Sequence, residues 1–195
     1  MRVKEGNKEK DILEAAIRIF AENGFHQSKI SQITDAANVA TGSVYLYFKN
    51  KQEILEKIFE ILWNELLSDF ESLATNSKLT PIEKLDGMID LLFDKFIENP
   101  SLAIVFVNEQ NYLLQQGENK FSDYYTSFLD KGIDIVKSGI EQKTLWSEVD
   151  LTFFKYFILG AVRNLLHLWA HNPEKYSLNK IRHNVKYLMK HGIVE

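Results

Sequence analysis

Residues 28–48 read S-K-I-S-Q-I-T-D-A-A-N-V-A-T-G-S-V-Y-L-Y-F, and few arrangements of a chain accommodate that run. Ile30, Ile33 and Ala37 recur at helical spacing behind Ser28, a residue type that caps helix N-termini. Asn38 tolerates the left-handed backbone, so it predicts the end of that helix and a tight turn. Val39 closes the corner, and Thr41 is placed to cap a second helix over 41–48 with Val44 and Phe48 facing inward. Two short helices at a fixed angle result, which is the geometry of a helix-turn-helix whose second helix enters a DNA groove. Any compact pair of helices needs similar apolar spacing, so this pattern alone does not decide the function.

The outward positions are small and polar. Thr41, Gly42 and Ser43 open the second helix, where side chains and backbone N–H groups reach base edges or phosphates. Tyr45 and Tyr47 can set hydroxyls on phosphate oxygens, although half-buried packing is an alternative role for either ring. Lys29 and Ser31 face the same groove edge from the first helix, and Lys49 and Lys51 add charge where the next helix begins.

Charge enters because the chain carries a net −4, an unusual balance for a partner of double-stranded DNA. Residues 1–57 hold nine Lys/Arg against eight Asp/Glu, and the remainder holds fourteen against nineteen. Local clustering of Lys29, Lys49 and Lys51 must therefore replace bulk charge, which implies moderate affinity, steep salt dependence and two heads acting together. Arg2, Lys4 and Lys8 in the polar arm, residues 1–9, are further candidates for phosphate contact.

Around this head the pattern predicts an all-α protein of about nine helices, with a DNA-binding domain over 1–57 and an effector-binding and dimerisation domain over 58–195. A first helix near 10–23 carries Ile12, Leu13, Ala16, Ile17 and Phe20 on one face and ends at Gly24. Asn50 and Glu53 read as a capping box opening a long helix whose stripe runs from Ile54 to Phe70 and links head to body. Thr80, Pro81 and Glu83 give a second capping signature, Asn99-Pro100 is a break, and a loop is expected over 115–120. The eighth helix, near 148–171, is apolar almost all round, and a ninth follows near 177–191. An edge helix of that kind predicts a homodimer built through helices 8 and 9, with Gly160 allowing close approach. The longest apolar run free of charge, Tyr156–Val162, is far shorter than the ~18 residues of a membrane span. No signal peptide is expected from Met1–Lys10, and with no cysteine the reading is a cytoplasmic protein without disulfides or thiolate metal sites.

The segment I-L-E-A-A-I-R-I-F-A-E-N-G-F-H, followed by S-K-I-S-Q-I-T-D-A-A-N-V-A-T-G-S-V-Y-L-Y-F-K-N-K-Q-E-I-L, resembles the N-terminal domain of the TetR family of ligand-responsive repressors. Asn38 stands where that family often has Gly. H-Q-S-K-I-S-Q-I, Y-L-Y-F-K-N-K and N-P-S-L-A-I-V further resemble FadR-type members, which regulate fatty-acid degradation and answer to long-chain acyl-CoA. The resemblance implies a homodimer on a double-stranded DNA operator and DNA contacts from Ser31, Thr41, Ser43, Tyr45 and Lys51. It also implies release by a small lipophilic effector, with no catalysis and no resident cofactor.

Candidate effector residues cluster in the body. Arg163 interrupts the apolar eighth helix, where a buried guanidinium must find an anionic ligand or a carboxylate such as Glu109. Phe106, Tyr112, Phe128, Phe157 and His167 could line an acyl tunnel or simply fill the core. Asn108 and Glu109, with Gln110, break an otherwise apolar sixth helix and suggest a polar wall. His167 and His171 have the i, i+4 spacing of metal ligands, which leaves a helical-bundle metalloenzyme as a rival. No third ligand lies nearby in sequence. A DNA-binding dimer without any effector is the other rival.

Overall fold

The computed structural model describes residues 8–115, 120–148 and 150–193. Among them are nine helices and no strand: α1 (Lys8–Asn23), α2 (Ile30–Ala37), α3 (Thr41–Val44), α4 (Lys51–Ala74), α5 (Pro81–Glu98), α6 (Pro100–Gln115), α7 (Lys120–Glu141), α8 (Leu151–His171) and α9 (Leu178–Ile193). Arg2 and Lys4 of the arm, and most of the expected 115–120 loop, lie outside the described residues.

In the head, α1 buries the five residues its spacing singled out and ends at Gly24, whose φ of +74° suits a residue without a Cβ. Asn38 takes the left-handed conformation at φ 53°, ψ 46°, and the N–H groups of Asn38 and Val39 close the end of α2 on Asp35 O and Thr34 O. Two expected caps differ. Ser28 does not cap α2; it is buried, and its hydroxyl donates to Gly24 O at 2.6 Å, satisfying a carbonyl at the end of α1. Helix α2 starts one residue further on, after Lys29, whose N–H donates to the Gln32 side chain at 2.8 Å. Thr41 lies inside α3 rather than at its cap, with its hydroxyl 3.4 Å from that of Thr34, and Ala40 holds the cap position.

The second helix is also shorter than 41–48. After Val44 the backbone tightens into turns, with Leu46 N donating to Ser43 O and Tyr47 N to Val44 O. Phe48 N still reaches Val44 O at 2.9 Å, and the side chains of Val44 and Phe48 are buried as the pattern requires.

Helix α4 opens on Asn50, whose side chain accepts from Glu53 N at 2.9 Å. The returning Glu53 carboxylate takes the N–H of Lys49 instead of the cap residue, so the expected capping box is displaced by one position. Twenty-four residues at about 1.5 Å each give a rod of about 36 Å from head to body. Its stripe is buried throughout and gains Trp63, which packs on Phe106, Tyr125 and Phe128 with ring centroids 5.9, 5.2 and 5.3 Å away. The Thr80–Glu83 capping box and the Asn99-Pro100 break stand as read, and hydrogen bonds from Thr80 hold the Glu83 carboxyl below its usual range. In the body, α4 lies against α5 and α7, α5 against α9, and α6 against α8, while α1 of the head packs on α6.

Lys51 takes a place that its charge alone did not suggest. Its ammonium donates to three carbonyls of the loop between α1 and α2: Phe25 O at 2.5 Å, Ser28 O at 2.8 Å and His26 O at 3.0 Å. It also stands 4.6 Å over the Phe25 ring. Partial burial pushes its pKa down, and the Glu109 carboxylate nearby pulls it back up.

Two stability predictions follow from these local geometries. Asn38→Ala should lower unfolding free energy by about 1 kcal/mol, with Asn38→Gly at or above wild type, because only the first puts a side chain unsuited to αL at φ 53°. Lys51→Met should cost about 1–2 kcal/mol by removing a charged donor from three loop carbonyls. Urea denaturation followed by circular dichroism measures both.

Candidate nucleic-acid interface and ligand cavity

The buried pair Val44 and Phe48 pins the turn after α3 to the head, which forces the three residues between them outward. Tyr45, Leu46 and Tyr47 are all exposed, Leu46 at 82%. Lys29, Ser31, Thr41, Gly42 and Lys49 are exposed as well, and Ser43 is half-buried. The Thr34–Thr41 hydroxyl contact ties α2 to the start of α3 and fixes the two segments relative to each other. Sequence reasoning passed over Leu46, although its place between two outward tyrosines was a signal. Lys51 is apart from this set in the free protein, because the 25–28 loop occupies its ammonium.

In the body, a cavity of about 290 Å³ opens between α4, α6, α7 and α8. Phe106, Phe128 and Arg163 are among the residues that line it. The expectation that Arg163 needs a buried partner is corrected: it is exposed, so its charge carries no burial penalty. His167 lines a shallower depression beside it with Gly160, Arg163 and Asn164. A second, almost wholly apolar cavity of about 100 Å³ lies between α5, α7 and α8. Leu92, Phe128, Leu129, Leu159 and Val162 line both, so the two spaces share one wall.

Four expected effector residues are elsewhere. Glu109 is buried and accepts the N–H of Phe25 at 3.2 Å, so it braces the head and leaves Arg163 without that partner. Tyr112 packs edge-on against His26 at 5.2 Å and against Phe25 at 5.4 Å. Asn108 is exposed and Phe157 is 71% exposed, and neither lines either cavity. Of the polar wall expected on α6, Gln110 lines the cavity and Asn111 joins it. Gln110 is 3% exposed, and its Oε1 is buried with no hydrogen-bond partner. Burial pushes the Tyr125 phenol pKa up, against a hydrogen bond from Gln110 and the charge of Arg163. The cavity is therefore apolar over most of its wall, with the buried Gln110 amide in that wall and the exposed Arg163 cation beside it.

His167 and His171 stack at 4.2 Å, with His171 Nδ1 2.9 Å from His167 O. Among the described residues no group of three or more His, Asp or Glu is placed to hold a metal ion. No helix among them is long and apolar enough to cross a membrane.

Residues 12–58 match the family model of bacterial regulatory proteins of the tetR family, and residues 47–192 match that of the YsiA-like protein C-terminal region. The fatty acid metabolism regulator protein of Bacillus subtilis is 32% identical over 185 residues, covering 93% of each chain. Among solved structures, FadR of Bacillus halodurans superposes with a TM-score of 0.82 at 27% identity, covering 96% of this chain and 97% of the other. FadR of Bacillus subtilis, solved in complex with stearoyl-CoA, gives 0.78 at 30% identity over 92% and 96%. These relatives are transcription regulators rather than enzymes, which sets aside the metalloenzyme. The all-helical body, the helix-turn-helix head and both family matches agree, and the chain belongs to the TetR family of bacterial transcription regulators.

Proposed function

We propose that the protein is a homodimeric repressor of fatty acid metabolism genes that leaves its operator on binding a long-chain acyl-CoA. The observation that carries this reading is the paired cavity, an apolar chamber sharing a wall with one that ends at Gln110 and Arg163. The end of a fatty acyl chain suits the first, between Met88, Phe93, Phe128 and Ile158. The polar edge that Gln110 and Asn111 give the second cavity suits the amides of the pantetheine arm. Arg163, with His167 alongside, is placed for a phosphate. Support also comes from the B. subtilis relative's complex with stearoyl-CoA. A solid body would have favoured an effectorless DNA-binding dimer; the open cavity argues against it.

For DNA, Lys29, Ser31, Thr41, Gly42, Ser43, Tyr45, Tyr47 and Lys49 form the contact surface, and Leu46 joins them as an apolar contact. Lys51 serves chiefly by holding the loop that leads into α2. Dimerisation runs through α8 and α9. Phe153, Tyr156 and Phe157 of α8 are 77%, 68% and 71% exposed in a single chain, and Tyr187 and Leu188 of α9 are exposed too. Such a contiguous apolar face calls for a cover, and a Cβ built at Gly160 meets nothing within 4 Å, so a partner helix has room to approach. Two heads about 34–36 Å apart then read the two halves of a palindrome.

Gel shift on the protein's own promoter region should show stearoyl-CoA releasing the DNA, with free CoA and stearic acid ineffective. Arg163→Ala should weaken stearoyl-CoA binding roughly tenfold while leaving operator affinity intact. Release by unrelated lipophiles but not by stearoyl-CoA overturns the ligand assignment. For the dimer, Phe157→Glu should sediment as a monomer and lose operator binding; a dimer of unchanged mass would place the interface elsewhere.

A further inference from the structure

One turn of α6 faces two ways. At 3.6 residues per turn, Glu109 and Tyr112 point to one side of the helix while Gln110, Asn111 and Leu114 point to the other. The second group lines the ligand cavity. The first grips the loop between α1 and α2: the Glu109 carboxylate accepts Phe25 N–H at 3.2 Å, and the Tyr112 ring packs against Phe25 and His26. That loop runs directly into Lys29 and α2, and Lys51 holds its carbonyls from the opposite side. The path from Gln110 to the DNA-facing segment is thus two contacts long and bypasses the α4 rod.

We infer that Glu109, assisted by Tyr112, is a positioning residue that transmits occupancy of the cavity to the head. This rests on the effector reading above. A ligand filling the cavity presses on Gln110, Asn111 and Leu114 and shifts the turn that carries Glu109, and the 25–28 loop follows because that carboxylate holds the Phe25 N–H from α6. Lys51 is the counterweight: its ammonium keeps the loop attached to α4, so the loop pivots between a fixed cation and a moving anion.

The test compares wild type with Glu109→Ala, Glu109→Gln and Tyr112→Ala, using stearoyl-CoA as the probe and the full-length protein. Operator affinity is measured with and without saturating stearoyl-CoA, stearoyl-CoA affinity is measured separately, and backbone hydrogen exchange is followed over residues 24–29. Coupling in systems of this kind is about 5- to 150-fold. Glu109→Ala and Tyr112→Ala should keep stearoyl-CoA affinity within about threefold while the ratio of operator affinities collapses to a fifth or less of the wild-type value. Glu109→Gln retains an acceptor for Phe25 N–H and should restore most of the ratio, which a merely structural loss would not do. Exchange at 25–28 should be at least about tenfold faster in ligand-free Glu109→Ala than in wild type.

An unchanged ratio in Glu109→Ala, with stearoyl-CoA still releasing the wild type, overturns this inference and leaves the effector reading standing. No release of the wild type overturns the effector reading instead. The exchange comparison then decides alone, and unaltered protection of 25–28 sinks the tie between α6 and the loop.

Discussion

Three carbonyl oxygens around one ammonium fix how the head sits on the long helix. Lys51 is the first residue of α4, and Phe25, His26 and Ser28 belong to the corner where α1 gives way to α2. Apolar packing alone, such as that of Phe20 against Phe25 at 5.4 Å, permits small slides at little cost. Directional bonds to a charged group do not. The same corner receives Glu109 from the body, so a cation and an anion that are distant in sequence meet on one short loop. The anion tempers the cost of burying the cation, as the opposing influences on Lys51 show. The position of the loop that leads into α2 is set at this node.

What could be read from the sequence was whatever its neighbours in the chain determine. The αL turn at Asn38, the Thr80–Glu83 capping box with Pro81, the Asn99-Pro100 break and the apolar stripes of α1 and α4 are each decided within a few residues. The misplaced features depend on partners far away. Lys51 bonds to residues up to 26 positions earlier and Glu109 to one 84 positions earlier, so neither role leaves a local trace. Ser28 has the chemistry of a cap and was read as one for the helix that follows. It satisfies the helix that precedes instead, because its buried hydroxyl donates to the Gly24 carbonyl at 2.6 Å, which also accepts the Ser28 N–H at 3.2 Å.

The body shows the same limit in another form. An aromatic on an apolar helix can face a cavity, a core or a partner, and composition does not separate these. Phe128 lines the cavities, Phe106 also stacks into the core against Phe96 at 5.0 Å, and Phe157 points away from both. Arg163 interrupts an apolar helix, which implies burial, yet it is exposed beside the cavity. Gln110 carried the better signal. An amide deep in an apolar helix must be bonded or must await a bond, and its Oε1 is in the second state.

A weakly charged head makes the rest of the design comprehensible. With nine cationic and eight acidic side chains in residues 1–57, and with Lys51 committed to the loop, one head has few charges to offer a duplex. Electrostatic attraction that modest gives a single head little hold. Specific binding must come from two heads seated at once, and two linked sites lose their joint advantage when the geometry no longer fits both. A small change in head placement then suffices. Under the proposed relay, a ligand need not break strong contacts but only bias a node that already balances one positive and one negative side chain, a matter of roughly 1–3 kcal/mol. A strongly basic head would need a much larger displacement to be released, and the near-neutral one makes a short relay through α6 adequate.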